Sequence, residues 1–226
     1  MNELLKMSQV LGVKVLNASW VGCEYRKDHQ VVCDEIFENG VTLVASAANK
    51  ENGVKNCKFR ESYSYPASYN NVISVSSVGH INPIGFTDPV YGKNNWKDVH
   101  EDIPGDTAST HVHNDKVDIC APGYNVLTTD LNGGYTGVWG TSFSGPIVAG
   151  VCALVLAANP CLSPEEVEFI IKNTARNLDI IPANQRYIGV LGAGRIDAKA
   201  AVEFARDFYT QVETLDINSD ETWDSQ

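Results

Sequence analysis

Apolar and polar residues along the chain form two patterns, one typical of buried strands and one typical of amphipathic helices. Four short apolar runs predict strands: VKVLNAS (13–19), VTLVASA (41–47), NVISVSSV (71–78) and KVDICAP (116–122). Between the first two, residues 27–39 predict a helix that Gly40 ends, with Val31, Val32, Ile36 and Phe37 on one side. Strand, helix and strand in this order predict a β-α-β unit, so the sheet is expected to be mostly parallel.

The second half of the chain predicts a hairpin and then helices. NVLTTD and GGYTGV, within residues 125–138, predict two strands joined across Asn132-Gly133. A helix from about Ser144 to Asn159 is apolar on every face, which predicts that it is buried. Ser163, Pro164 and Glu166 start the next helix, and Asp197 caps a last one that ends at about Phe208. With residues 1–11 also helical, the chain predicts an α/β fold with helices on both faces of the sheet.

Charge and composition exclude several classes of partner. The chain has 17 basic and 28 acidic residues, a net charge of −11, and no basic run, so we expect no nucleic-acid partner. No apolar stretch is long and charge-free enough to predict a membrane span, and Glu3 and Lys6 stand where a signal peptide needs its apolar region.

The six cysteines lack a C-x-x-C pair, which argues against zinc. Cys120 and Cys152 lie in apolar runs and are predicted to be buried free thiols. Cys23, Cys33 and Cys57 lie in more polar surroundings and could pair, but the sequence does not give the connectivity.

Residues 140–150, GTSFSGPIVAG, place small and hydroxyl residues directly before the apolar helix. Pro146 fits the first turn of a helix, where its missing N–H is not needed. A helix N-terminus offers free amide donors and partial positive charge, so a hydroxyl there lies where an oxyanion is stabilised. Ser142 is therefore a candidate nucleophile. The alternative is that Ser142 or Ser144 only caps the helix.

The run GTSFSGPIVAG closely resembles the nucleophile motif of the subtilisin-like serine proteases, Gly-Thr-Ser-x-(Ala/Ser)-x-Pro-x-Val-(Ala/Ser)-Gly. Four other segments resemble that family in the same order: LVASAANKEN, YPASYNNVISVSSV, KVDICAPG and LGAGRIDAKAAV. The resemblance covers about residues 10–205. It implies a subtilisin-like fold, with a doubly wound, mostly parallel sheet and helices on both faces, whose N-terminal strands are missing.

The resemblance also implies roles for particular residues. Ser142 matches the nucleophile, and its backbone N–H with the Asn49 side-chain amide matches the oxyanion hole. Ser19, Trp20, Val21 and Gly22 match the strand that pairs with the substrate backbone. The chain departs from the family at Val21 and Ala48, where glycine is usual, and Ala48 narrows the space beside the scissile bond.

Two members of the family's catalytic triad have no match. The Asp-(Ser/Thr)-Gly and His-Gly-Thr motifs are absent, and the five histidines are followed by Gln, Ile, Glu, Val and Asn. His111 and His113 are weak candidates for a substitute base, because THVHNDK predicts a solvated loop. Residues 1–208 are thus expected to be the C-terminal portion of a catalytic domain, and residues 209–226 a loosely ordered acidic tail.

Two functions follow from these expectations. One is a serine endopeptidase for polypeptide substrates, inactive until an N-terminal segment or separate chain supplies Asp and His. The other is a non-catalytic remnant or peptide-binding module that uses the same cleft. An α/β-hydrolase esterase is excluded, because Gly-x-Ser-x-Gly would require glycine where Ser144 stands.

The resemblance implies two further properties. The family commonly binds calcium, which places one weak site at the carbonyls around Ala67, Tyr69 and Val72, although backbone ligands cannot be assigned from residue identity. Secretion, or location in the cell envelope, is implied by the family alone.

Overall fold

The computed structural model describes residues 3, 6, 10–49, 63–79, 111–124, 126–131 and 133–209. At its centre is a parallel sheet of four strands in the order β1-β2-β3-β4. The strands are β1 (Val15–Ala18), β2 (Thr42–Ser46), β3 (Ile73–Val78) and β4 (Ile119–Pro122). Each of the four apolar runs therefore contains a strand, and the parallel pairing is confirmed.

Helices cover both faces of this sheet, as the sequence predicts. Among the described residues, the helices with assigned bounds are α1 (Lys27–Glu38), α2 (Thr141–Ala158), α3 (Pro164–Asn173) and α4 (Ala198–Arg206). Leu43 and Ala45 of β2 pack in the core beneath α1, whereas Val44 between them packs in the core formed with α2, α3 and α4. Successive residues of a strand point to opposite faces, so β2 is buried along its whole length.

The segment between β4 and α2 forms a β-hairpin. Strands β5 (Val126–Thr129) and β6 (Tyr135–Val138) pair antiparallel, which confirms the predicted hairpin. Its turn is closed by the Asp130 N–H, which donates to the Gly134 carbonyl at 2.9 Å. Gly140 follows β6, and its N–H donates to the Gly123 carbonyl at 2.8 Å. The hairpin thus returns the chain to the carboxyl end of the sheet, where α2 begins.

Helix α2 differs from its prediction in three ways. It begins at Thr141, about three residues earlier than expected. It is not buried on every face: Leu154 is 54% exposed, and Pro146, Gly150, Ala153 and Ala157 share the open side. By length and composition it could also cross a membrane, contrary to the expectation from sequence. Since α2 contacts all four strands of the sheet and α4, its other apolar residues belong to the protein core.

The buried stripe of α1 also differs from its prediction. Val32, Cys33 and Ile36 are buried, but Val31 is 46% exposed. Positions 32 and 36 lie one turn apart and face the sheet, and the stripe extends to Cys33 rather than to Val31. A small thiol fits at this helix–sheet contact, where burial raises the pKa of Cys33 to about 12.

The other described cysteines are either buried in the core or bonded in a disulfide, apart from the exposed Cys161. Cys120 and Cys152 are buried and form no disulfide, as predicted, and burial raises the pKa of Cys152 to about 12. Cys23 is disulfide-bonded, whereas Cys33 is free. Cys33 and Cys152 are therefore packing residues rather than nucleophiles at neutral pH.

The predicted starts of the last two helices are confirmed. The Glu166 N–H donates to Ser163 Oγ at 3.2 Å, and the Ser163 N–H donates to Glu166 Oε2 at 2.7 Å, which is a capping box. Asp197 caps α4 by accepting the Ala200 N–H at 3.1 Å. Of the predicted first helix, residues 3, 6, 10 and 11 are described, and all are helical. Residues 210–226 of the predicted tail lie outside the described residues.

We expect the two neighbouring faces of α1 to differ sharply in their effect on stability. Ile36→Ala removes a fully buried side chain and is expected to lower the free energy of unfolding by about 2–5 kcal/mol. Val31→Ala, on the exposed side, is the matched control and is expected to change it by about 0.5 kcal/mol or less. Urea unfolding followed by circular dichroism measures both; equal losses would contradict this orientation of α1.

Candidate active site

Ser142 is the second residue of α2. Gly140, with a φ of 126°, precedes the helix, and a glycine has no side chain that could cap it. Ser142 is half-buried, while Ser144 is fully buried and donates its hydroxyl to the Pro122 carbonyl at 3.1 Å. Both serines lie inside the helix. The alternative that one of them is only its cap is therefore wrong.

Asn49 takes the place of the missing cap. It follows β2, and its Oδ1 accepts the Thr141 N–H at 3.0 Å and the Thr141 hydroxyl at 3.1 Å. These bonds hold the carboxamide beside the residue that precedes Ser142, as the sequence predicts for the two site residues. With Oδ1 engaged, the Nδ2 group is left as a donor of fixed orientation.

The carbonyl of Ser142 is satisfied by a side chain rather than by the helix. In an α-helix this carbonyl accepts the N–H of the residue four positions later, which is Pro146 and has none. Ser19 supplies the missing donor: its Oγ donates to the Ser142 carbonyl at 2.9 Å. Ser19 therefore has a positioning contact in addition to its predicted place in the substrate strand.

Further polar residues that sequence reasoning missed hold this first turn. Ser46 Oγ donates to the Thr141 carbonyl at 2.9 Å, and Asn17 Nδ2 donates to Ser19 Oγ at 2.9 Å. Gly145 lets α2 approach them, since a Cβ there would lie 2.9 Å from Asn17 Oδ1. Asn17 and Ser46 are polar residues near the carboxyl ends of largely apolar strands, which is the signal that could have found them.

The segment from Ser19 to Gly22 continues β1 past the carboxyl end of the sheet. Gly22 pairs with Tyr65: the Gly22 N–H donates to the Tyr65 carbonyl at 2.7 Å, and the Tyr65 N–H donates back at 3.0 Å. Trp20 is 46% exposed, and β1 lies at an edge of the described sheet. Because Gly22 is engaged in this way, a peptide adding to the edge would pair with residues 19–21.

A serine at a helix N-terminus, a carboxamide fixed beside it and an adjacent strand edge occur together in a known family. The family model described as the subtilase family of peptidases matches residues 2–194. The chain belongs to the subtilase family.

Individual subtilases match at moderate identity. Subtilisin DY of Bacillus licheniformis is 29% identical over 168 residues, which are 74% of this chain and 51% of Subtilisin DY. Subtilisin Savinase of Lederbergia lenta is 33% identical over 162 residues, 72% of this chain and 46% of Savinase. The halolysin-like extracellular serine protease Nep of Natrialba magadii is 31% identical over 164 residues, 72% of this chain and 23% of Nep. The chain thus spans about half or less of the length of these relatives.

Solved structures of proteases share the fold. A protease of Pseudoalteromonas arctica superposes with a TM-score of 0.62 at 27% identity, over 85% of this chain and 51% of that protein. The self-cleaved protease domain of PatA superposes with a TM-score of 0.63 at 20% identity, over 89% of this chain and 65% of that domain. These superpositions confirm the subtilisin-like α/β fold.

The two residues that stand where the family resemblance predicts glycine lie together. Ala48 has a φ of 89°, a conformation that favours glycine, and its side chain is buried. Val21 packs against the small apolar cluster formed by Ala48 and Val112. The two unusual side chains therefore fill neighbouring space next to Asn49.

The histidine segment is not the solvated loop that the sequence predicted. His111 is fully buried, and its backbone bridges to Asn49. Its Nδ1 is hydrogen-bonded to Ser77 Oγ, and Nδ1 of His113 lies 2.9 Å from Ser76 Oγ. Both rings therefore bind serines of β3. The backbone bridge between His111 and Asn49 holds the histidine segment against the sheet. This placement does not favour either histidine as a base for Ser142; His80 and His100 lie outside the described residues.

The three residues whose carbonyls the family resemblance offers to calcium lie around one pocket. Ala67, Tyr69 and Val72 do line one pocket, together with Asp118 and Glu168. However, Lys172 Nζ lies 2.9 Å from Asp118 Oδ1 and 3.0 Å from Glu168 Oε1, while Asp118 Oδ2 accepts the Ser74 N–H. Within the described ranges, no cluster of three or more His, Cys, Asp or Glu side chains could hold a metal. One lysine thus pairs with both carboxylates, and the calcium site expected at the backbone carbonyls stays a prediction.

The hydrogen bond from Ser19 to the Ser142 carbonyl can be tested by a double-mutant cycle with Pro146. Ser19→Ala leaves that carbonyl unsatisfied and is expected to cost about 1–3 kcal/mol of unfolding free energy. Pro146→Ala restores a backbone N–H at the α-helical position. In that background the same serine change is expected to cost at least about 0.5 kcal/mol less. Urea unfolding of the four proteins measures the coupling, and strict additivity would contradict the assignment.

Gly140 is expected to be indispensable for the placement of Asn49. A Cβ there would lie 3.0 Å from Asn49 Nδ2, and the backbone conformation is accessible almost only to glycine. Gly140→Ala is expected to cost about 1–3 kcal/mol and to shift the NMR signal of the Asn49 side-chain amide. Gly134→Ala is the matched control, since a Cβ there meets nothing within 4 Å. An unshifted Asn49 signal in Gly140→Ala would contradict this geometry.

Proposed function

We propose that this chain carries half of the catalytic site of a serine endopeptidase. In this proposal Ser142 is the nucleophile, and the Ser142 N–H and Asn49 Nδ2 form the oxyanion hole. The observation that carries it is the pair of hydrogen bonds from Thr141 to Asn49 Oδ1. Through these bonds the Asn49 side-chain amide lies beside the N-terminus of α2, where the dipole of the helix also favours developing negative charge.

The reaction proposed is acyl transfer through Ser142. Its Oγ attacks the peptide carbonyl carbon, the hydroxyl proton passes to a base, and the carbonyl oxygen becomes the oxyanion. The C–N bond then breaks as the base returns the proton to the leaving amine. Water next takes the place of the amine, hydrolyses the ester of Ser142 and regenerates the hydroxyl. The residues of this chain supply the nucleophile and the oxyanion donors, but the sequence has no match for the base.

We propose that an upstream segment or a separate chain brings the aspartate and histidine. Two surfaces support this, one on the helix that carries Ser142 and one along β1. Helix α2 has an open side formed by Pro146, Gly150, Ala153, Leu154 and Ala157, and β1 is an edge of the described sheet. A strand added to β1 and a helix packed on the open side of α2 would bury both surfaces and come close to Ser142. Without this partner the chain is expected to be inactive.

A second candidate function is peptide binding without cleavage. The edge at residues 19–21 supports it, because an extended peptide can add to it by backbone hydrogen bonds whether or not a base is present. In both proposals the ligand is a polypeptide, with no nucleic-acid or membrane partner. Secretion or cell-envelope location is proposed from the family, and Nep is an extracellular member of it.

Labelling by a fluorophosphonate probe tests the peptidase. The chain alone is expected to react negligibly, whereas the chain joined to an upstream segment that carries Asp-(Ser/Thr)-Gly and His-Gly-Thr motifs is expected to be labelled at Ser142. Ser142→Ala abolishes labelling. Asn49→Asp keeps the acceptor for Thr141 but removes the Nδ2 donor, so it is expected to slow labelling strongly without unfolding the protein. Labelled residues are located by mass spectrometry.

The outcomes separate the two candidate functions. Rapid labelling of the chain alone would show that the site is already complete. Absence of both motifs from the adjacent coding sequence, with no labelling and with retained peptide binding, would favour the binding module. Equal labelling of the Asn49→Asp variant and its parent would remove Asn49 from the oxyanion hole.

A further inference from the structure

We infer that the cleft accepts only a small side chain, that of Gly, Ala or Ser, on the substrate residue whose carbonyl meets Ser142. The inference deepens the proposed function and rests on its placement of the peptide. Val21, Ala48 and Val112 carry it, because their side chains pack together in one cluster immediately beside Asn49.

The position of the substrate side chain follows from the groups around it. The reacting carbonyl lies between Ser142 and the Asn49 amide, and the substrate Cα is only about 1.5 Å from the carbonyl carbon. Ala48 is the residue next to Asn49. The edge at residues 19–21, where the peptide backbone adds, lies on the other side, and Ser19 touches the Ser142 carbonyl. In this proposal the substrate side chain therefore starts between Val21 and Ala48, which pack against each other.

Ala48 narrows this space with a methyl group that the backbone does not favour. Its φ of 89° is a conformation in which glycine would be unstrained, yet the residue is alanine and is only 2% exposed. Removing the methyl would relieve the strain as well as open the space. The methyl is thus a specific obstruction beside the oxyanion donor.

Val21 closes the same space from the opposite side, and the closure is rigid. Val21 packs against Ala48 and Val112, and Val112 is 2% exposed. The Val112 N–H donates to the Ala48 carbonyl at 2.9 Å, and His111 bridges to Asn49. This backbone pairing fixes Val112 behind Ala48. A large substrate side chain therefore cannot enter by pushing the cluster aside without breaking these bonds.

Binding of product-like peptides to the chain tests the inference without requiring catalysis. The peptides are acetyl-Ala-Ala-Ala-X with a free terminal carboxylate, where X is Ala, Leu or Phe. The carboxylate fixes the register, because an anion favours the N-terminus of α2. Affinities are measured from the NMR shifts of the backbone amides of Ser142 and Trp20 and of the Asn49 side chain. The alanine peptide is expected to bind at least about tenfold more tightly than the other two.

Three variants locate the cause of the preference. Val21→Gly and Ala48→Gly are each expected to raise affinity for the leucine peptide at least about tenfold relative to the alanine peptide. Ala48→Gly relieves the positive φ, so it is expected to fold even if Val21→Gly does not. Val21→Thr keeps the shape of the side chain and is the matched control, expected to retain the preference for alanine.

Leucine or phenylalanine peptides that bind the parent chain as tightly as the alanine peptide would overturn the inference. So would an unchanged preference in Ala48→Gly, or the absence of any shift at Ser142 and Asn49 with all three peptides. Failure of fluorophosphonate labelling with a retained preference for alanine would instead remove the peptidase and leave the specificity of the cleft standing.

Discussion

The structure of the candidate site depends on how the first turn of α2 is tied to the ends of β1 and β2. Asn49 binds the N–H of Thr141, Ser46 binds its carbonyl, and Ser19 binds the carbonyl of Ser142. A helix N-terminus normally takes its cap from its own chain neighbours, but Gly140 cannot supply one. The sheet therefore supplies the cap, and Ser142 is fixed relative to the sheet as a consequence.

Pro146 explains why this arrangement needs a side chain from β1. A proline in the first turn removes the N–H that would satisfy the Ser142 carbonyl, and an unsatisfied buried carbonyl is costly. The hydroxyl of Ser19 donates to that carbonyl instead. Ser19 is also the first residue of the segment 19–21, to which a peptide could add. One segment thus positions the candidate nucleophile and, in the proposed function, the substrate.

In the same region, two side chains differ from those expected in the family while the backbone pairing around them is retained. Ala48 and Val21 replace glycines expected in a subtilase, and both side chains join Val112 in one cluster. The backbone pairing of the segment at His111 and Val112 with Ala48 and Asn49 remains intact around them. Both side chains leave the bonds between Asn49 and Thr141 in place, and in the proposed function they act on the space beside the oxyanion donor.

The sequence by itself determined the four strands, the hairpin and the caps at Ser163 and Asp197, and its resemblance to a family predicted that Asn49 lies near the start of α2, where its side chain binds Thr141. These follow from local periodicity, from capping residues and from a motif whose spacing is fixed by backbone geometry. Only the tertiary structure decided that α2 has an open side, that Cys33 replaces Val31 in the buried stripe of α1, that His111 is buried, and that Asn17 and Ser46 support the site. Each of these depends on which residues distant in sequence lie opposite, and periodicity within one segment carries no information about its neighbours.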